Sequence, residues 1–192
     1  MPLSWVVLGG GGGLPWVTYT VLMTCASLIS AFGLLTNSVP AVIGSMFVSP
    51  LSEASVQLGS GNFRAGLEYL VVGVSLAMIV GYIVAMMFER LKWNPQMSAI
   101  SSWWDTTQGR IGAIAIALSA GVVLGVSDIC PNVTAQIGVG IAGSILPPLV
   151  NGGLALAMGK SAWSSFILSL LNVLLIGVGY GGGVRLGVEC QK

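Results

Sequence analysis

Residues 38–58 read SVPAVIGSMFVSPLSEASVQL, and this stretch decides the fold of the chain. It is apolar over most of its length, and its one ionisable side chain, Glu53, lies near its C-terminal end. About 20 such residues in a helix cross the ~30 Å hydrocarbon core of a bilayer. Pro50 removes a backbone donor inside the stretch and therefore kinks or breaks a helix. We predict a membrane-spanning helix that is interrupted at Pro50.

The composition extends this interpretation to the whole chain. Of its 192 residues, 55% are apolar and 7% are charged, against about 25% charged in soluble domains. The stretches poor in charge allow six transmembrane helices: 16–35, 38–58, 65–88, 110–128, 133–158 and 162–184. We therefore predict an integral, multi-pass membrane protein, an all-α polytopic helix bundle. Its basic residues divide four to three between the two sides, so the positive-inside rule assigns neither an orientation nor a membrane.

The polar residues exclude several classes of function. A net charge of +1 gives no basic surface for nucleic acid. Histidine is absent, which removes the commonest general base and zinc ligand, and the three cysteines lack metal-binding spacing. We expect no enzymatic activity and no metal site. The cofactor is left open, because Asn, Gln or Glu side chains can still ligate a pigment.

We expect five segments along the chain. Their bounds are 1–15 for a Gly-rich flexible leader, 16–88 for a first three-helix repeat, 89–110 for a charged Trp-rich interfacial loop, 111–186 for a second repeat, and 187–192 for a tail. The leader contains five consecutive glycines, which are unfavourable in a helix. The loop contains three tryptophans, and Trp is enriched where a membrane helix meets water.

An internal repeat relates the two halves. When residue n is set beside residue n + 98, Pro50 matches Pro148, Gly61 matches Gly159, and Gly81-Tyr82 matches Gly179-Tyr180. The alignment needs no gap from 39 to 82. Each unit contains three predicted helices, and an odd number makes the second unit enter the membrane from the opposite side. The pattern predicts two inverted-topology repeats, a design shared by many secondary transporters.

The second helix of each unit contains the unusual chemistry. The candidate pathway residues are Ser49, Pro50, Ser52 and Glu53 in the first unit, with Pro147, Pro148 and Asn151 in the second. A proline frees a backbone carbonyl, which in hydrocarbon needs a partner in protein or in a water-lined cavity. An ionisable residue in a membrane segment is a candidate functional group by default. Glu53 is interpreted either as an ion- or proton-coupling carboxylate with Asn151 opposite it, or as a structural group bonded to serines or headgroups.

Two local patterns predict packing rather than chemistry. Small residues four apart, Gly121 with Gly125 and Gly179 with Gly183, are typical of close helix crossings, and in this bundle we expect them to pack internally. Arg64 and Glu68 are also four apart and predict an interfacial ion pair.

The two proline motifs resemble the signatures of the membrane family known as domain of unknown function 389. The first resembling run is Gly33-Leu34-Leu35-Thr36-Asn37-Ser38 with Ile43-Gly44-Ser45-Met46 and Ser49-Pro50-Leu51, and the second is Val139-Gly140-Ile141-Ala142 through Leu146-Pro147-Pro148-Leu149. The resemblance covers about residues 20–176. It implies a multi-helix integral membrane domain. It implies no mechanism, because the family has no established activity.

Two functions from different classes follow from these features. The first is a small transporter or channel for an ion or small solute, at the interface of the two inverted repeats. The second is a non-catalytic scaffold or accessory subunit of a larger membrane complex. Both place the chain in the lipid bilayer, as a homo-oligomer or as one subunit of a larger membrane assembly.

Overall fold

The computed structural model describes residues 14–90, 107–129 and 145–190. These residues form seven α-helices and no strand. The helices are α1 Trp16–Leu35, α2 Val39–Val48, α3 Ser52–Gly59, α4 Phe63–Arg90, α5 Thr107–Ile129, α6 Leu146–Ala157 and α7 Trp163–Cys190. The predicted all-α class is therefore confirmed for the described part of the chain.

Four of these helices are long and apolar enough to cross a membrane. They are α1, α4, α5 and α7, with spans at Trp16–Leu35, Phe63–Phe88, Ile111–Ile129 and Trp163–Val188. A fifth crossing results if α2 and α3 are counted together, since they form one bent pair. The chain is thus a multi-pass membrane protein. The sixth predicted helix, 133–158, lies partly outside the described residues, and its described part is the 12-residue α6.

The predicted interruption at Pro50 is present. The helix ends at Val48 and resumes at Ser52, and the two pieces meet at an angle of 45°. Ser49 has an extended backbone, with ψ at 122°, which turns the chain out of the first piece. The break lies where Pro50 cannot donate a backbone hydrogen bond.

The prolines of the second unit have a different place in their helix. Pro147 and Pro148 lie in the first turn of α6, where a missing backbone N–H leaves no intrahelical bond unmade. They therefore begin the described helix instead of interrupting it. The two prolines predict a break in the helix 133–158, and the residues before Ile145 in that range lie outside the described residues.

Helix α6 lies at the centre of the bundle. Its residues from Leu146 to Ala155 are all buried. It packs against α1, α2, α4 and α7. Around it, α1 runs parallel to α4, because Trp16 stacks on Tyr69 near their starts and Phe32 meets Phe88 near their ends.

Helices α5 and α7 cross at the predicted glycines. A Cβ on Gly121 would meet the Ile176 carbonyl oxygen and lie 2.9 Å from Gly179 Cα. One turn later, a Cβ on Gly125 would meet the Tyr180 carbonyl and the backbone of Gly183. Both small-residue pairs are therefore used inside the chain, as expected. The contacts advance together along both helices, so α5 and α7 run parallel.

The same backbone cap ends α3 and α6. In α3, the N–H of Gly61 donates to Leu58 O and the N–H of Asn62 donates to Gln57 O. In α6, Gly159 donates to Leu156 O and Lys160 to Ala155 O, which are the same bonds 98 residues later. Gly61 and Gly159 both have positive φ, 89° and 67°, as this type of cap requires.

Candidate functional site

The centre of the break between α2 and α3 is buried in protein. Ser49 Oγ lies 3.9 Å from the sulfur of Met23 on α1 and accepts the N–H of Leu51 at 3.3 Å. Pro50 is buried, and Leu51 is 1% exposed. The hydroxyl of Ser49 thus replaces part of the backbone bonding that is lost at the break.

A row of hydrogen-bonded side chains leads away from the break along α3. Gln57 Nε2 donates to Glu53 Oε1 at 2.8 Å. Asn62 Nδ2 donates to Gln57 Oε1 at 3.1 Å. Glu53 and Gln57 are half-buried, while Asn62 is exposed. The three side chains form a continuous polar row, which we call the α3 polar row, from the interior of the bundle to the α3–α4 turn.

The other predicted residues have separate surroundings. Ser52 is exposed at the start of α3. Asn151 is 6% exposed, and its Nδ2 donates to Ser165 Oγ of α7 at 3.0 Å. Among the described residues, the hydrogen bonds of Glu53 and Asn151 therefore go to different helices. The structure does not bring these two side chains together by a hydrogen bond.

Sequence reasoning missed a polar contact between α5 and α7. Tyr180 Oη donates to Asp128 Oδ2 at 2.6 Å, across 52 positions of the chain. The ring of Tyr180 also lies against the end of α3, where a Cβ on Gly59 would be 2.7 Å from Cδ1. The signal that could have found this contact was Asp128 itself, a carboxylate in the last turn of a membrane helix that needs a donor.

An apolar crevice of about 190 Å³ lies between α4 and α7, and Leu149 of α6 also lines it. Val71 and Ser75 from α4 line it, together with Ser169 and Val173 from α7. The 98-residue offset equates Val71 with Ser169 and Ser75 with Val173, so the crevice lies between equivalent positions of the two units. None of the predicted pathway residues lines it.

No metal-binding arrangement is present in the described ranges. They contain no group of three or more Cys, Asp or Glu side chains that could hold an ion. Glu53 is hydrogen-bonded to the Gln57 amide, and the Ser52 hydroxyl is its neighbour in sequence. Such a set can bind a proton or a partly hydrated cation, and it can hydrogen-bond a polar solute.

Comparison with known proteins identifies a family and a distant relative of this chain. A family model described as domain of unknown function (DUF389) matches residues 42–178. An uncharacterized protein of Methanocaldococcus jannaschii is 26% identical over 171 residues, which cover 81% of this chain and 50% of that relative. This chain therefore spans half the length of that relative. No solved structure matches it. The match over most of its length means that the chain belongs to the domain of unknown function 389 family.

Proposed function

We propose that the chain is a small transporter or channel for a cation or a cation-coupled solute, built from two inverted three-helix repeats. The observation that carries the proposal is the cap shared by α3 and α6. The same three consecutive N–H groups, beginning at Ser60 and at Met158, donate to equivalent carbonyls in the same 98-residue register. Each cap ends a helix that begins at or just after a proline motif. Repeats with discontinuous helices near the midplane are typical of secondary transporters.

The directions of α1, α4 and α5 support an inverted orientation of the two repeats. The end of α3 touches Tyr180, whose hydroxyl binds Asp128 near the end of α5. Helix α4 begins just after α3 ends, so α4 begins on the side where α5 ends. Since α1 is parallel to α4, the first helices of the two units, α1 and α5, run in opposite directions.

Contacts between the units are reciprocal. The third helix of the first unit, α4, packs on the second helix of the second unit, α6, and α7 packs on α3 in return. A Cβ on Gly81 would meet the Val150 carbonyl in the first contact, and a Cβ on Gly177 would lie 3.2 Å from Ser55 O in the second. A two-fold relation between the units predicts such an exchange of partners.

Glu53 is the proposed coupling group. It is half-buried beside the helix break, where the Ser49 and Ser52 hydroxyls and freed backbone groups add oxygen ligands. Gln57 Nε2 holds Glu53 Oε1 by a hydrogen bond of 2.8 Å, and a carboxylate attracts a cation. Asn151 is the neutral counterpart in the second unit, and Pro50, Pro147 and Pro148 fix where the two helices start or break.

Cation flux into liposomes tests the proposal. The purified chain is reconstituted, and uptake of protons, Na⁺ and K⁺ is measured against empty liposomes. We expect uptake by the wild type and at least a roughly tenfold loss in Glu53→Gln, because about 1.4 kcal/mol of lost cation stabilisation corresponds to a factor of ten. Glu68→Gln is the matched control, since Glu68 is an exposed carboxylate that pairs with Arg64.

Absence of uptake above empty liposomes for all three cations would contradict the proposal, and so would unchanged uptake in Glu53→Gln. The mass of the particle extracted in mild detergent tests the accessory-subunit alternative. A discrete particle made of this chain agrees with transport. Stoichiometric association with unrelated subunits would favour the scaffold or accessory role.

A further inference from the structure

We propose that Glu53 is reached by water and cations from one side of the membrane only, through the α3 polar row that opens at the α3–α4 turn. The inference rests on the proposed function for its purpose, because an access path serves transport. Its evidence is separate, since it comes from the exposure and hydrogen bonding of α3 and α6.

The open side is defined by the α3 polar row. Glu53, Gln57 and Asn62 are joined by two hydrogen bonds of 2.8 and 3.1 Å. Glu53 and Gln57 are half-buried, and Asn62 is exposed. At 1.5 Å per residue, Glu53 lies about 9 Å inside the end of α3 at Gly59. Half-exposed carboxylate and amide groups at that depth are strongly disfavoured against hydrocarbon. Water along the row satisfies them.

The opposite side of Glu53 is closed. Ser52 beside Glu53 is exposed, but beyond it the chain toward α2 passes through Pro50 and Leu51, which are buried. Tyr19 and Met23 of α1 cover this segment and are both 0% exposed. Within the described part of the chain, no hydrogen-bonded row of polar side chains continues past Glu53 on this side, so the proposed path ends at Glu53.

In the second unit, the positions equivalent to Glu53 and Gln57 are buried. The 98-residue offset equates Glu53 with Asn151 and Gln57 with Ala155. Asn151 is 6% exposed and Ala155 is 5% exposed, and the Asn151 amide is turned to Ser165 of α7. The two units thus differ at equivalent positions, one open to water and one closed.

Thiol accessibility in sealed vesicles tests the path. The three native cysteines are replaced by serine, and single cysteines are reacted with a membrane-impermeant, charged methanethiosulfonate reagent added to either side. Asn62→Cys, which is exposed, marks the side of the α3–α4 turn. Leu67→Cys is the control, because Leu67 is 57% exposed on α4 and only about 6 Å inside its start at Phe63.

We expect Glu53→Cys to react from the Asn62 side only, about tenfold faster than the shallower Leu67→Cys, because a charged reagent enters an aqueous path and avoids lipid. Ala155→Cys should stay unreacted from both sides. Reaction of Glu53→Cys no faster than Leu67→Cys, or from the other side, would overturn the path. Reaction of Ala155→Cys at the rate of Glu53→Cys would overturn the difference between the units.

The wild-type protein provides a second measurement that needs no variant. A water-soluble carbodiimide with an amine, added on the Asn62 side, should amidate Glu53, as detected by peptide mass. Protection of Glu53 while exposed Glu68 reacts would overturn the path. Neither experiment depends on flux. An accessible Glu53 in a protein that carries no cation would reject the proposed function alone, and flux with an inaccessible Glu53 would reject the path alone.

Discussion

Gly61 and Gly159 occupy equivalent positions 98 residues apart, and each ends a helix with a left-handed backbone, at φ 89° and 67°. Each donates to the carbonyl three residues earlier, and the next residue donates to the carbonyl five residues earlier. Two short helices in an apolar chain thus end with identical hydrogen bonds. Similar composition does not explain that coincidence, because apolar helices can end in several ways.

Alanine at either glycine should destabilise the protein by about 1–2 kcal/mol, because an L side chain disfavours the left-handed conformation. A Cβ meets nothing within 4 Å at Gly61 or Gly159, so the cost is conformational. Gly182→Ala on α7 is the control, since a Cβ there also meets nothing within 4 Å. It should be neutral or stabilising. Unfolding in detergent measures the three variants, and equal effects in all three would contradict the cap.

A side chain added at the α5–α7 crossing should lower the free energy of unfolding by more than alanine at the capped turns does. A Cβ on Gly121 or Gly179 would collide with backbone of the facing helix. We expect Gly121→Ala and Gly179→Ala each to lose about 1–3 kcal/mol, the usual cost of overpacking, or to fail to assemble. The same unfolding assay measures both, again beside Gly182→Ala. Wild-type stability in both variants would show that the helices do not approach at these glycines.

Removing the Tyr180 hydroxyl leaves the Asp128 carboxylate without this donor. The bond is 2.6 Å long and joins α5 to α7, so Tyr180→Phe should lower the free energy of unfolding by about 1–3 kcal/mol. Tyr82 is the matched control, because it is equivalent to Tyr180 in the 98-residue register and is 45% exposed. Tyr82→Phe should have little effect. Equal losses in the two variants would remove the special role of Tyr180.

The Arg64–Glu68 pair should contribute little to stability. The two side chains are 3.1 Å apart but 92% and 50% exposed, so solvent screens their attraction. Arg64→Gln should change the free energy of unfolding by less than about 0.5 kcal/mol. A loss several times larger would mean that this pair holds α4 in place, and Glu68→Gln would then be unsuitable as the flux control.

Much of the helical layout could be predicted from the sequence. Helix α1 has the predicted bounds of 16–35, because it lies between Pro15 and the polar turn after Leu35 and contains no charge. Pro50 indicated the break, and the spacing of Arg64 and Glu68 indicated their ion pair. These features depend on local sequence, where hydrophobic length, proline and i, i+4 spacing are sufficient.

Contacts between distant helices could not be predicted in the same way. The sequence indicates that Asn151 needs a partner, but its bond to Ser165 depends on how α6 packs on α7. The partner of Asp128 is Tyr180, which lies 52 residues away. Helix α7 also continues to Cys190, past the predicted end at 184, because Arg185 does not stop a helix at the membrane border.

The central claim is that the two repeats are inverted. The side of the membrane on which each capped turn lies tests this claim most directly. Asn62 and Lys160 are equivalent, exposed and immediately after Gly61 and Gly159. Single cysteines at these positions, in the chain without native cysteines, are labelled in sealed vesicles with the impermeant reagent. Inverted repeats predict that Asn62→Cys and Lys160→Cys react from opposite sides of the membrane. Reaction of both from one side would contradict the inverted arrangement.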